Sequence, residues 1–120
     1  MRVNCINPQW IAKMKNAGCS SILYGMESGS QRMLDIMEKK TTVEDNKNAV
    51  KWCVDHNVHT IVQLVIAMPG ETPETIKETA DFASYFVEQS PMVDPNYMSI
   101  NYAQALPGTP LYETARKKGF

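Results

Sequence analysis

Bulky apolar residues recur along this chain in two alternating patterns, short continuous runs and runs with helical spacing. Residues 20–26, 59–68 and 97–103 are predicted strands, because they are short, apolar or β-prone and bounded by turn residues. Helical spacing behind capping residues predicts helices that begin near residues 8, 30, 43, 73 and 110. Residues 2–4 are expected to end an earlier strand, and residues 90–95 to form a loop. The chain is therefore predicted to be an α/β protein of alternating strands and helices.

The same pattern predicts which faces are buried. Residues 64–68 are continuously apolar, which is typical of a parallel strand covered by helices on both faces. A capping box is predicted at residues 41–44, before the third helix. The residues expected on the inner helix faces are Trp10, Ile11, Met14 and Ala17 in the first helix, Met33, Leu34 and Met37 in the second, Val43, Val50, Cys53 and Val54 in the third, and Ile76, Ala80, Ala83 and Phe86 or Val87 in the fourth.

Three glycine-containing turns follow the predicted strands. They read GMESGS at residues 25–30, MPGET at residues 68–72 and LPGTP at residues 106–110. The carboxyl ends of parallel strands share one rim, and α/β barrels place their binding groups on that rim. The three turns together therefore predict a ligand site, although each one alone is also explained as a strand-to-helix turn with a helix cap.

Four polar residues sharpen this prediction. Glu27 would raise a carboxylate above the sheet, and Ser28 would begin a helix whose free N–H groups favour anionic or hydroxyl ligands. The alternative is that these two residues serve only the helix start. Gln63 interrupts an apolar run and Asn101 lies within a strand, where such residues are disfavoured. Gln63 either faces the helix layer and bonds backbone or faces the barrel interior and meets a ligand.

Composition restricts the possible partners. The net charge is −1 and there is no basic run, so nucleic acid is not indicated as a ligand. The longest apolar run is too short to span a bilayer, and no signal-peptide pattern opens the chain, so a cytoplasmic protein without membrane contact is expected. Cys5, Cys19 and Cys53 match no metal-ligand spacing and are predicted to be free thiols. Neither a metal ligand nor a catalytic residue is predicted.

Three stretches of sequence carry a family resemblance. They are RVNCINPQWIAKMKNAGCSSILYGMESGSQRMLDIMEKKTT, VQLVIAMPGETPETIKET and YMSINYAQALPGTPLY, and they cover nearly the whole chain. In this order they resemble the C-terminal half of a radical S-adenosylmethionine (radical SAM) domain, nearest to cobalamin-binding-type, coproporphyrinogen-dehydrogenase-like and methylthiotransferase-like enzymes. The resemblance implies a partial parallel (βα) barrel, the second half of a six-stranded TIM-like barrel. Residues 1–120 would form one partial domain, from the end of the third strand through the sixth strand and its following helix.

The resemblance also implies roles for individual residues at the S-adenosylmethionine site. Glu27 would contact the ribose or the amino-acid part of the ligand, Lys39 its methionine carboxylate, and Gln63 its ribose. The turn after residue 67 corresponds to the family's fifth-strand motif, and backbone near residues 102–103 would lie beside the adenine. The predicted cofactor-binding residues are Glu27, Ser28, Lys39, Gln63, Met68, Pro69, Gly70, Tyr102 and Ala103.

One departure from the family pattern bears directly on the chemistry. The family holds its [4Fe-4S] cluster on a Cys-x₃-Cys-x₂-Cys loop after the first strand, and this sequence has neither that strand nor that loop; Cys5 does not replace it. The resemblance therefore implies a piece of an iron–sulfur oxidoreductase that cleaves S-adenosylmethionine reductively to start radical chemistry. The cluster, the missing N-terminal half of the barrel and any cobalamin would belong to the full-length enzyme, and the piece alone is predicted to be inactive.

A half-barrel would leave the edge of its first strand exposed, so self-association through that edge is predicted. Two other functions stay open from the sequence. One is a half-barrel that binds a nucleotide or phosphate compound without chemistry, and the other is a structural or dimerising α/β piece. The substrate, the reaction and the presence of a preceding cobalamin domain are not determined by these residues, and neither is whether the chain is excised or a natural half-barrel.

Overall fold

Three strands and five α-helices alternate along the chain in a computed structural model that describes residues 1–89 and 97–119. The strands are β1 (Ser21–Glu27), β2 (His59–Ile66) and β3 (Met98–Tyr102). The helices are α1 (Pro8–Asn16), α2 (Gln31–Ile36), α3 (Val43–Asp55), α4 (Pro73–Gln89) and α5 (Pro110–Lys117). The predicted α/β alternation is confirmed, while the loop expected at residues 90–95 lies outside the described residues.

The strands form one parallel sheet in the order β1-β2-β3. Ser21 pairs with His59 at the start of β1, and Val62 pairs with Met98 at the start of β3. The register of β1 against β2 shifts between Gly25 and Glu27, so the end of β1 departs from regular pairing. Helices α2 and α3 connect β1 to β2, and α4 lies between β2 and β3 along the chain. All three strands therefore end at the same edge of the sheet.

The hydrophobic core lies on one face of this sheet. Alternate residues of β1 and β2 are buried there, and they pack with apolar residues of α1, α3 and α4. The largest buried side chains in this cluster are Tyr24, Phe86, Ile11, Met26 and Leu64. On the opposite face Ile61 and Val65 are only partly buried and Leu23 is 43% exposed. The prediction that both faces of β2 are covered is therefore wrong for the described chain, since helices cover only one.

Local hydrogen bonds cap α1, α3 and α5 as the sequence predicts, with one change of position, whereas Ser30 makes no side-chain capping bond at the start of α2. The Asn7 side chain accepts from the N–H of Trp10, and Thr109 accepts from the N–H of Tyr112. The capping box of α3 uses Thr42 with Asp45, one residue later than residues 41–44. An aspartate thus takes the place that the sequence prediction gave to glutamate.

Several predicted details are corrected by tertiary packing. Val3–Cys5 forms a 3-10 turn and not the tail of a strand. In α4 the buried residues are Thr75, Thr79, Phe82 and Phe86, while Ile76 and Val87 are 50% and 45% exposed. Phe86 is buried as predicted, and Gly29 lets the face of α4 that carries Thr79 and Phe82 lie close against the turn after β1. In α1, Trp10 is 54% exposed and only Ile11 is fully buried.

Across residues 1–89 and 97–119, no helix combines the length and the apolar character needed to cross a membrane.

Candidate functional site

The candidate site lies at the edge of the sheet where all three strands end. Glu27 ends β1, Ile66 ends β2 and Tyr102 ends β3. Glu27 lies within the first glycine-containing turn, and the other two turns follow β2 and β3. The backbone N–H of Ala103 donates to the carbonyl of Ile66 at 2.9 Å, which joins the ends of β2 and β3. The sequence prediction that the three turns share one rim is confirmed by the parallel topology.

The turn after β1 has an unusual backbone at Glu27. Its φ of 66° lies in the left-handed region, where a residue other than glycine is strained. The N–H of Ser28 donates to the carbonyl of Met26 at 2.8 Å, so Glu27 is the central residue of a three-residue turn. This turn lifts the Glu27 side chain off the end of the strand.

Beyond Glu27 the chain is fixed to helix α4. The Ser28 hydroxyl lies 2.9 Å from the Thr79 hydroxyl, and Thr79 also accepts from the N–H of Gly29 at 3.2 Å. The N–H of Ser30 donates to the Ser28 hydroxyl at 3.0 Å. Ser28 is fully buried in these contacts. Its side chain supports the turn from behind, and the predicted contact of Ser28 with the cofactor stays a prediction.

Glu27 and Lys39 meet in an ion pair, although twelve positions separate them along the chain. Lys39 Nζ lies 2.5 Å from Glu27 Oε1, and the two side chains are 28% and 17% exposed. Gly25 makes room for the pair, because an added Cβ there would lie 2.8 Å from Glu27 Oε1 and 4.0 Å from Lys39 Nζ. The structure therefore brings together the two residues that the sequence predicted as ligand contacts, and their ligand role stays a prediction.

Gln63 lies on the sheet face that the helices leave uncovered. It pairs with Gly25 of β1 and with Ser99 of β3, so these three residues cross the sheet in one row. Two residues further along β3, Asn101 donates from its side-chain amide to the Ser99 hydroxyl at 3.4 Å. Of the two alternatives for Gln63, the structure favours the face away from the helix layer, next to Gly25 and the ion pair above it.

The turn after β2 contains the same left-handed backbone geometry that Glu27 has. Ala67 has a φ of 64° and Gly70 a φ of 93°, so the chain turns sharply at both positions. The Glu71 carboxylate accepts through Oε2 from the N–H of Ala67, which holds the turn closed. Its other oxygen, Oε1, is buried and has no partner among the described residues. Glu71 was recognised in the sequence only as part of the turn, so its role was missed.

A cleft of about 420 Å³ opens beside this turn, between the ends of β2 and β3 and helix α5. The predicted site residues Met68, Pro69 and Ala103 line it, and so does Glu71, whereas Gly70 and Tyr102 do not. Tyr102 is 72% exposed. The remaining lining residues are Ala67, Ala105, Leu111, Thr114, Ala115 and Lys118. The cleft is mainly apolar, and its polar lining residues are Glu71, Thr114 and Lys118, which suits an organic group with a polar edge.

The cysteines do not form a metal site within the described ranges. No three side chains of His, Cys, Asp or Glu cluster there as ion ligands. Cys5 is exposed, Cys19 is half-buried and Cys53 is buried beside the Tyr24 hydroxyl at 3.5 Å. Burial raises the pKa of the Cys53 thiol, so it stays protonated and packs as an apolar group.

Comparison with known proteins gives the family and the fold. Residues 1–83 match the family described as "Radical SAM superfamily". An uncharacterized methyltransferase of Pyrococcus horikoshii is 32% identical over 114 residues, which are 95% of this chain and 23% of that protein. The anaerobic magnesium-protoporphyrin IX monomethyl ester cyclase of Rubrivivax gelatinosus is 35% identical over 69 residues, 58% of this chain and 12% of that protein.

One solved structure has the same fold. It is the radical S-adenosylmethionine methyltransferase TsrM from Kitasatospora setae, described with cobalamin and a [4Fe-4S] cluster bound. The TM-score is 0.77 at 22% identity, and the match covers 98% of this chain and 21% of that one. This chain therefore spans about a quarter or less of the proteins that it matches here.

Proposed function

Since the chain belongs to the radical SAM superfamily, we propose that it forms part of the S-adenosylmethionine site of a longer radical SAM enzyme. The observation that carries this proposal is the Glu27–Lys39 ion pair at the carboxyl end of the sheet, beside the row that contains Gln63. S-Adenosylmethionine presents a carboxylate, an ammonium group and ribose hydroxyls, which a lysine, a carboxylate and an amide can bind. The arrangement thus fits the polar part of this ligand.

The turn after β2 and its cleft suit the apolar part of the same ligand. Met68, Pro69 and Ala103 supply a mostly apolar wall, and the buried Oε1 of Glu71 lacks a hydrogen-bond donor in the described chain. An exocyclic amine such as that of adenine would satisfy this oxygen. We propose that this cleft receives the adenine and that the ion pair binds the amino-acid part.

The [4Fe-4S] cluster does not fit the residues described. Such a cluster needs several thiolates close together, and the described parts of the chain contain no such group. In the family the cluster supplies the electron that cleaves S-adenosylmethionine. We therefore propose that this chain binds and orients the ligand, that the cluster is held by another part of the longer enzyme, and that the chain alone is inactive. We assign cobalamin no role on this chain.

Ligand binding is tested by isothermal titration of the chain with S-adenosylmethionine. We expect Lys39→Met and Glu27→Gln each to weaken binding about tenfold or more, because each removes a charged hydrogen-bonding group from the site. Lys77→Met is the matched control, since Lys77 also forms an ion pair, with Asp81 at 2.8 Å, but on the exposed surface of α4. Equal affinity in all three variants and the unmodified chain would contradict the proposal.

Inactivity is tested by anaerobic reconstitution with iron and sulfide. We expect no stoichiometric cluster and no reductive cleavage of S-adenosylmethionine. One [4Fe-4S] cluster per chain with cleavage would refute this part of the proposal. Saturable nucleoside binding by a longer form that also lacks the cluster would favour the alternative, a nucleotide-binding half-barrel without chemistry.

We also propose that the free edge of β1 pairs with the missing half of the barrel, and that without it the chain self-associates through this edge. The support is the position of β1 at the edge of the described sheet and the half-exposed Leu23 within it. Light scattering that gives a monomer at high concentration would contradict self-association.

A further inference from the structure

A fully buried asparagine lies among the apolar residues that α3 turns toward the sheet. Asn46 shares the buried face with Ala49, Val50 and Cys53. Asparagine lowers helix stability relative to alanine, and an amide buried without hydrogen bonds is strongly unfavourable. The Nδ2 group of Asn46 is hydrogen-bonded, whereas its Oδ1 is buried without a partner among the described residues, so any role of this side chain lies with Nδ2.

Both hydrogen bonds go to the turn after β1. Asn46 Nδ2 lies 3.2 Å from the carbonyl oxygen of Met26 and 3.4 Å from that of Ser28. These two carbonyls flank Glu27 on either side. Because both partners are acceptors, the orientation of the amide is fixed, with its NH₂ group toward the turn.

The turn needs such support because Glu27 has left-handed backbone geometry. Strained backbone of this kind persists only where the surrounding structure holds it. Thr79 of α4 holds the following residues through Ser28 and Gly29, while Asn46 holds the carbonyls next to Glu27 itself. On the other side of the sheet this backbone directs the Glu27 carboxylate over Gly25 to Lys39.

We propose that Asn46 is a positioning residue, which fixes the turn at Glu27 from the helix layer and thereby places the Glu27–Lys39 pair for ligand binding. This inference rests on the proposed function for the identity of the ligand, whereas the geometry of residues 26–28 does not depend on that function. Asn46 has no contact with the ligand in this account and acts only through the backbone of residues 26–28.

The first test is amide hydrogen exchange of Ser28, whose N–H bonds the Met26 carbonyl within the turn. Asn46→Leu keeps the γ-branched shape of the side chain, although leucine is larger, and it removes both N–H donors. We expect exchange of the Ser28 amide to accelerate about fivefold or more relative to amides of β2, as expected for loss of a hydrogen bond of ordinary net strength. Val50→Ala is the control, because it weakens the buried face of α3 and leaves the Asn46 donors to the turn in place.

The second test is a double-mutant cycle on S-adenosylmethionine affinity with Asn46→Leu and Glu27→Gln. We expect each single variant to weaken binding and the double variant to be no weaker than Glu27→Gln, because both changes remove the same contact. Should Asn46→Leu fail to fold, Asn46→Ala replaces it, since the smaller side chain leaves space for water to solvate the two carbonyls.

The outcomes separate this inference from the proposed function. Equal Ser28 exchange ratios in Asn46→Leu and Val50→Ala, or additive losses of affinity in the cycle, would overturn the positioning role. If the unmodified chain does not bind S-adenosylmethionine, the proposed function fails for this chain, and the exchange experiment still decides whether Asn46 holds the turn.

Discussion

Replacing Gly29 with alanine tests the close contact between α4 and the turn after β1. An added Cβ would lie 2.7 Å from the carbonyl oxygen of Glu78 and 2.8 Å from Thr79 Cα, and it would also meet Phe82 Cβ. Ordinary carbon–carbon contacts are about 3.5–4.0 Å. None of these atoms is the free end of a flexible side chain, so helix and turn have to separate.

The expected magnitude follows from two opposing effects. Overpacking a close contact costs about 1–3 kcal/mol, and the upper part of this range applies because backbone of α4 has to move. Gly29 lies outside the left-handed region, so alanine would otherwise stabilise the chain by about 0.4–1 kcal/mol through the unfolded state. The net expectation for Gly29→Ala is a loss of about 2 kcal/mol in the free energy of unfolding.

Urea denaturation measures this loss, and Gly25→Ala supplies the matched control. The Cβ added at Gly25 would meet the Glu27 carboxylate and Lys39 Nζ, which are the ends of flexible side chains. We therefore expect Gly25→Ala to change the free energy of unfolding by no more than about 0.5 kcal/mol while weakening S-adenosylmethionine binding. Equal stability of Gly29→Ala and the unmodified chain, or a larger loss for Gly25→Ala, would refute the reasoning.

Three further predictions concern the core and a helix cap. Burial raises the pKa of the Cys53 thiol and of the Tyr24 hydroxyl, so the folded state holds these two protons more tightly than the unfolded state does. The free energy of unfolding therefore keeps its full value below the ordinary thiol pKa of about 8.5 and falls as the pH rises above it. Urea denaturation from pH 7 to pH 10 checks this, and a flat profile contradicts it. Native protein should react with a thiol reagent at the exposed Cys5, and at Cys53 only after unfolding; equal rates would argue against the buried environment of Cys53. Thr42→Ala should lower the stability by about 1 kcal/mol in thermal denaturation, because it removes the cap of α3, and an unchanged melting temperature would contradict the capping role.

Much of the fold could be predicted because its signals are local. A proline behind a capping residue determines where a helix begins whatever surrounds it, and this predicted the starts of α1, α4 and α5. Short β-prone runs bounded by turn residues likewise predicted the three strands. The shared rim of the three turns followed from the alternation of strands and helices, since such strands run parallel.

The site itself was predicted only in part. Glu27 and Lys39 were both proposed as ligand contacts, but nothing in their spacing shows that they form an ion pair. Ser28 was predicted at the cofactor, which stays a prediction, while its hydrogen bond with Thr79, 51 positions away in the sequence, could not be seen from the local pattern. Asn46 could have been noticed as a polar residue on an apolar helix face, although its partners in the turn after β1 cannot be seen from its own neighbours in sequence.

The sequence by itself thus determined the type, the order and the approximate starts of the three strands and five α-helices of the described chain, though not the 3-10 turn at Val3–Cys5, because capping, turn geometry and hydrophobic periodicity act over a few residues. Tertiary structure alone decided the face that α4 buries, the one-sided cover of the sheet and the meeting of Glu27 with Lys39. These features depend on how closely segments distant in the chain can approach. The turn can approach α4 at Gly29 because this residue has no Cβ. An added Cβ would collide with that helix, which lies about fifty residues further along the chain.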